Sequence, residues 1–252
     1  MTDSAIPAGA IGIVALDFQT TDAALQMVDL LGERCGFYKV GNELFTVGGP
    51  AIVSQLTERG KRVFLDLKFH DIPNTVEKAV RAAAQLGVSI ITVHAAGGER
   101  MIRAAVDSAG PQCEVFAVTV LTSLTGADLG QLWGREAVAD DLTPDVMRLA
   151  LVARGAGAAG VVCSGLEAPM LRDRFGAELK LLVPGVRLPG SDHGDQSRVV
   201  TPEGAARAGA SYVILGRTVT AAQDPVNAMD QAVASLARPD YFQRLTQNSE
   251  QS

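Results

Sequence analysis

The chain has 252 residues, 47% of them apolar and 20% charged, with 28 acidic against 22 basic side chains and a formal net charge of −6. That length and apolar share suffice for one large core, and the acidic balance excludes nucleic-acid binding through a broad basic surface, although local cations can still hold a small anion. No apolar run reaches the roughly 18 residues that span a bilayer, and Met1-Thr2-Asp3-Ser4 offers no basic or apolar leader, so the expectation is a soluble, cytoplasmic protein with no membrane partner, forming a single domain over 1–252.

In chain order, Ile11 to Leu16 is a continuous apolar run of strand length that ends on Asp17. Thr21 or Asp22 then caps a helical pattern through Ala24, Leu25, Met27, Val28 and Leu31, which ends near Gly32. Phe37 to Gly41 reads as a second strand and Leu44 to Leu56 as a second helix, interrupted near Gly48-Gly49-Pro50. Lys61 to Leu65 is the third strand. It gives way to Asp66-Leu67-Lys68-Phe69-His70-Asp71-Ile72-Pro73-Asn74-Thr75, in which Pro73 stiffens the exit and Asn74 or Thr75 is placed to cap a helix from Val76 to Leu86. Val88 to Val93 forms the fourth strand, followed by His94-Ala95-Ala96-Gly97-Gly98 and a helix to about Ala109. Val115 to Leu121 is the fifth, with Thr122-Ser123 at its end.

A longer excursion, Thr125 to Asp141, holds the lone Trp133 and is predicted to contain one short helix. Pro144 opens a helix through Ala153, and Gly160 to Cys163 makes the sixth strand. Leu179 to Val183 is the seventh, closed by Pro184-Gly185-Val186-Arg187. Tyr212 to Leu215 is the eighth, followed by Gly216-Arg217, a helix through about Leu236 and a polar tail from Ala237. Buried-type strands alternating with helices eight times in about 230 residues predict an α/β fold, a closed (β/α)8 TIM barrel. Cys35, Cys113 and Cys163 are odd in number and lack C-x-x-C spacing, which reads as small core residues of a reduced protein.

Polar groups recur at one place in this repeat. Asp17, Lys39, Asp66 with Lys68, His94, Thr122 with Ser123, Arg187 and Gly216-Arg217 all fall at or just past the C-terminal ends of strands, which a barrel gathers at one mouth. Arg187 after a Pro-Gly turn and Gly216-Arg217 at a helix start suggest a phosphate site, since glycine exposes backbone N–H groups and arginine binds phosphate oxygens bidentately. The glycine-rich stretch Leu188 to Arg198 between them is expected to act as a lid, with Gln196 reaching the phosphate.

Lys68 stands between Asp66 and Asp71. At about 4 Å each carboxylate would contribute on the order of 4 kcal/mol at an effective dielectric near 20, and both favour the ammonium. Such a lysine is a poor Schiff-base nucleophile and a persistent proton donor. Carboxylates beside it repel an anionic substituent, and the lysine can quench the carbanion left when that substituent departs. Loss of CO2 followed by protonation fits this arrangement.

Val14-Ala15-Leu16-Asp17, Lys39-Val40-Gly41, the run Asp66 to Thr75, Val93-His94-Ala95-Ala96-Gly97-Gly98, Val183 to Arg187, Asp195-Gln196 and Leu215-Gly216-Arg217 together closely resemble the bacterial orotidine 5'-phosphate decarboxylase family, in order over roughly residues 11 to 235. The resemblance implies a (β/α)8 barrel that converts orotidine monophosphate (OMP) to UMP in de novo pyrimidine synthesis without metal or organic cofactor. It implies Lys68 as proton donor, Asp66 beside the departing carboxylate, a homodimer in which Asp71 and Thr75 reach the partner's site, and Ile72 as a further substrate-binding residue. Asp17 and Lys39 would hold the ribose hydroxyls and complete the charge network. Thr122 or Ser123 would read the pyrimidine edge, while Arg187, Gln196, Gly216 and Arg217 would bind phosphate. Two alternatives stand beside it: a Mg-dependent phosphosugar decarboxylase or aldolase of the same barrel group, which carries an acidic metal ligand where this chain has Lys39, and a non-catalytic nucleotide-binding barrel.

Overall fold

The computed structural model describes residues 9–134, 141–188 and 200–237. Its first half is built from β1 (Ile11–Ala15), α1 (Thr21–Leu31), β2 (Phe37–Gly41), α2 (Asn42–Glu58), β3 (Arg62–Phe69), α3 (Pro73–Ala84), β4 (Ile90–His94) and α4 (Gly98–Ala109). The second half holds β5 (Glu114–Val118), α5 (Gly126–Trp133), α6 (Thr143–Gly155), β6 (Gly160–Val162), α7 (Ala168–Phe175), β7 (Lys180–Val183), α8 (Pro202–Arg207), β8 (Tyr212–Leu215), α9 (Arg217–Thr220) and α10 (Pro225–Leu236). The strands pair in parallel in sequence order and β8 closes on β1, so the predicted eight-stranded barrel is the one observed.

Strand side chains alternate between two cores. One set, including Ile13, Phe37, Phe64, Ile90, Phe116 and Tyr212, fills the barrel interior. The other, including Val14, Tyr38, Val63, Leu65, Ile91 and Val213, faces the helices. Because both faces are buried, the strands appear in the sequence as unbroken apolar runs. The interior is tight enough that a Cβ on Gly160 would lie 2.3 Å from the Phe116 ring. All three cysteines are buried and none forms a disulfide, and burial pushes the Cys35 thiol up and the Cys113 thiol up to about 12. No helix among the described residues is long and apolar enough to cross a membrane.

Several boundaries differ from the sequence reading. β3 continues through Phe69, so Asp66 and Lys68 belong to the strand and not to the loop after it. Neither Asn74 nor Thr75 caps α3: Ile72 is the N-cap, in the extended conformation a residue before proline adopts, and no side chain closes the helix end. Thr20, one residue before the expected position, caps α1 by accepting a hydrogen bond from the Ala23 N–H. The last helix is two, because Asp224-Pro225 starts α10 afresh with the Asp224 carboxylate accepting from Asn227 N–H. The predicted break in α2 falls at Gly49, whose φ of 55° lies in the left-handed region.

Candidate active site

The interior-facing row of each strand continues past the apolar layers to the barrel mouth, and there its character changes. On β1 the row Ile13, Ala15 is extended by Asp17, on β2 Phe37 is followed by Lys39, and on β3 Phe64 is followed by Asp66 and Lys68. These residues line one cavity of about 490 Å3, within the range of small-ligand sites. The rest of the lining includes Thr122 after β5, Gly185 and Arg187 after β7, and Gly216 and Arg217 after β8.

Two acid–base pairs occupy the β1–β3 side. Lys39 Nζ donates to Asp17 Oδ1 at 2.7 Å, with the lysine side chain 10% and the aspartate 59% exposed. Lys68 Nζ donates to Asp66 Oδ2 at 2.8 Å, and here the carboxylate is the more buried partner, at 13% against 30%. Lys68 therefore points into the cavity that holds Arg187 and Arg217, held by an anion, as the sequence suggested.

The second flanking carboxylate is arranged differently. Asp71 is exposed, and its Oδ1 accepts from the N–H of Ile72 at 2.7 Å. Within one chain, then, the described ion pairs give Lys68 a single carboxylate partner and not the expected two. Ile72, 67% exposed, and Thr75, also exposed, share this rim and do not line the cavity. Ser123 is likewise exposed and outside the lining, whereas Thr122 belongs to it.

After β7, Pro184-Gly185 turns the chain with Gly185 at φ 75°, a value glycine adopts without strain. Arg187, only 8% exposed, follows; its Nη1 donates to the Val186 carbonyl at 3.0 Å, and Thr218 Oγ1 donates to the same oxygen at 2.8 Å. Val186 bridges Val200, with Arg187 N–H on the Val200 carbonyl, so the chain on either side of residues 189–199 is held together. The expected lid and Gln196 lie outside the described residues. A Cβ on Gly216 would meet nothing within 4 Å, which leaves the backbone at the start of α9 open to the cavity.

Sequence reasoning missed two residues. Thr92, fully buried on β4, donates from Oγ1 to Asp66 Oδ1 at 2.9 Å and accepts from the Lys68 N–H at 3.0 Å. Gly41 leaves room for the first ion pair, since a Cβ there would stand 2.8 Å from Lys39 Nζ and 3.3 Å from Asp17 Oδ1. Period-two alternation was the available signal: Thr92 is two residues before His94, and Gly41 two after Lys39. His94 rests against His70, ring centroids 5.4 Å apart, and burial, then the neighbouring His70 and Lys68 charges, hold its imidazole below the usual histidine range.

A closed parallel barrel whose mouth gathers two lysine–carboxylate pairs and two arginines in one cavity has the arrangement of a barrel enzyme with a small-ligand site. Residues 13–232 match the model of the orotidine 5'-phosphate decarboxylase / HUMPS family, and the chain belongs to that family. It is 46% identical over 229 residues to an orotidine 5'-phosphate decarboxylase of Saccharophagus degradans, covering 90% of this chain and 94% of that one. Identity to an Escherichia coli protein of the same name is 47% over 230 residues, covering 90% and 92%. The crystal structure of orotidine 5'-phosphate decarboxylase from Lactobacillus acidophilus superposes with a TM-score of 0.80 at 35% identity, covering 91% of this chain and all of that one.

Proposed function

We propose that this protein decarboxylates OMP to UMP and CO2 in de novo pyrimidine synthesis, with Lys68 as the proton donor. The observation that carries this reading is the Lys68–Asp66 pair at 2.8 Å in the same cavity as Arg187 and Arg217. A phosphate held by the arginines fixes the nucleotide's orientation, so that binding energy gathered away from the ring serves to align the reacting carbon. Asp17 and Lys39 hold the ribose hydroxyls, and Thr122, which lines the cavity where Ser123 does not, reads the pyrimidine edge. Gln196 joins the phosphate contacts on the strength of the family resemblance.

In the chemical step the bond from the ring carbon to the carboxylate breaks and its electron pair stays on carbon. Lys68 Nζ–H then donates a proton to that carbon, and the amine regains one from solvent. Asp66 acts twice: it holds the ammonium in place at 2.8 Å, and its negative charge beside the substrate carboxylate favours departure of CO2. Stabilisation of the developing carbanion by the ammonium is the larger effect, because it acts where charge appears in the transition state.

The exposed Asp71, Ile72 and Thr75 complete the site of a partner subunit in a homodimer. Their position on the rim, with Ile72 67% exposed, supports this assignment. A cytoplasmic setting for the reaction is supported by three buried cysteines that form no disulfide. Loss of OMP absorbance on addition of purified protein tests the activity; UMP binding without turnover refutes it. Activity undiminished by EDTA separates it from a Mg-dependent phosphosugar reaction. Mixing Lys68→Ala with Asp71→Ala, each inactive alone, should restore about a quarter of wild-type activity if subunits exchange, since one site of a mixed dimer is then intact. No recovery on mixing would place Asp71 outside the partner's site.

A further inference from the structure

The segment that carries the proton donor is irregular. β3 and β4 are in register at Leu65 with Ile91 and again at Phe69 with Val93, so β3 spends four residue steps where β4 uses two. The extra length is taken up at Asp66 to Lys68, and Lys68 has φ 51°, alone among the described non-glycine residues in having positive φ. A left-handed conformation is unfavourable for a non-glycine residue and persists only where surrounding structure enforces it.

Among the bonds at this bulge, those of Thr92 stand out. Bulging takes the Lys68 N–H away from the β4 backbone, and the Thr92 hydroxyl accepts from it at 3.0 Å in place of a ladder carbonyl. The same hydroxyl spends its single hydrogen on Asp66 Oδ1 at 2.9 Å, leaving Oδ2 to the Lys68 ammonium. One oxygen thus fixes both ends of the donor: the backbone that aims the lysine and the carboxylate that grips its tip. The hydroxyl is fully buried, so no bulk water competes for either bond.

We propose that Thr92 is a positioning residue for decarboxylation, holding Lys68 and Asp66 in the geometry in which the ammonium meets the reacting carbon. The inference rests on Lys68 being the proton donor. Thr92 contributes through the lysine and the carboxylate and touches no substrate itself, so its loss is felt in the chemical step and not in nucleotide binding.

Thr92→Val replaces the hydroxyl by a methyl group of the same shape. A hydrogen bond to a charged group is lost with it, and kcat should fall about tenfold to a hundredfold while UMP affinity stays close to wild type. Thr92→Ser, which keeps the hydroxyl, should restore most of kcat. In a double-mutant cycle with Asp66→Ala the effects on kcat should be strongly non-additive, because both changes remove the Thr92–Asp66 bond. Wild-type kcat in folded Thr92→Val, with Lys68→Ala inactive beside it, overturns the role of Thr92 and leaves that of Lys68 standing. Full activity in Lys68→Ala overturns both. Equal losses in kcat and UMP affinity, unrescued by serine, would mark Thr92 as packing only. Should Thr92→Val not fold, Thr92→Ala removes the same hydroxyl with less bulk, and wild-type kcat there is equally decisive.

Discussion

Gly41→Ala isolates the Lys39–Asp17 pair without removing either charge. The added Cβ would sit 2.8 Å from Lys39 Nζ, and ordinary contact begins near 3.4 Å, so the ammonium must retreat by about 0.6 Å or turn away from Asp17. Gly41 has φ −95° and ψ −175°, which alanine adopts without strain, and restricting the unfolded chain gains about 0.4–1 kcal/mol. With the Asp17 side chain 59% exposed, solvent screens the ion pair, and its weakening costs about 0–1 kcal/mol. The two terms nearly cancel, so the thermal midpoint should hardly move. Catalysis tolerates misplacement of about 0.5 Å poorly, and kcat/KM for OMP should drop roughly tenfold to a hundredfold. A spectrophotometric OMP assay beside a thermal melt reads both quantities. An unchanged kcat/KM in a folded variant would refute the reasoning, as would a fall in activity that merely follows a large loss of stability.

Three further outcomes are expected. Arg217→Ala should raise KM for OMP and weaken UMP binding much more than it weakens orotidine binding; equal losses for both, by calorimetry, would remove the arginine from the phosphate site. Because His94 is held below its unfolded value of about 6.5, the unfolded chain binds the extra proton first, so this stability is fully present above that pH and is lost as pH falls through it. His94→Asn should therefore flatten the decline in melting temperature between about pH 7 and 5, and an unaltered slope would contradict the assignment. The buried Cys35 and Cys113 thiols, both pushed up by burial, should resist alkylation in native protein near pH 8 and react on unfolding, as mass spectrometry would record.

Much of this fold was legible because strands buried on both faces cannot hide. Tyr212 to Leu215, bounded by glycine on its mouth side, has the same limits in the sequence reading and in the structure. β3 was misjudged for a physical reason: once its interior row reaches the mouth it carries Asp66 and Lys68, and a rule that ends strands at charges stops too early. Asn74 and Thr75 look like caps by residue type, yet the helix starts at Pro73, three residues before Val76, and leaves them inside the first turn. The site's charged members announced themselves by recurring at strand ends. Thr92 and Gly41 did not, since a threonine in a strand reads as β-branched filling and a glycine after one as a turn; only the hydroxyl's two bonds and the space beside Lys39 disclose what they do. Asp71 flanks Lys68 in the sequence, yet within one chain its carboxylate turns back to accept from the Ile72 N–H, a contact that residue spacing does not show.

Turnover of OMP by Lys68→Ala, measured together with its affinity for UMP, bears most directly on the proposal that Lys68, held by Asp66 at 2.8 Å, is the proton donor. The expected result is a collapse of kcat by several orders of magnitude with UMP binding largely preserved, since the ammonium acts on the carbanion and not on the product. A variant that still converts OMP to UMP near the wild-type rate would contradict it.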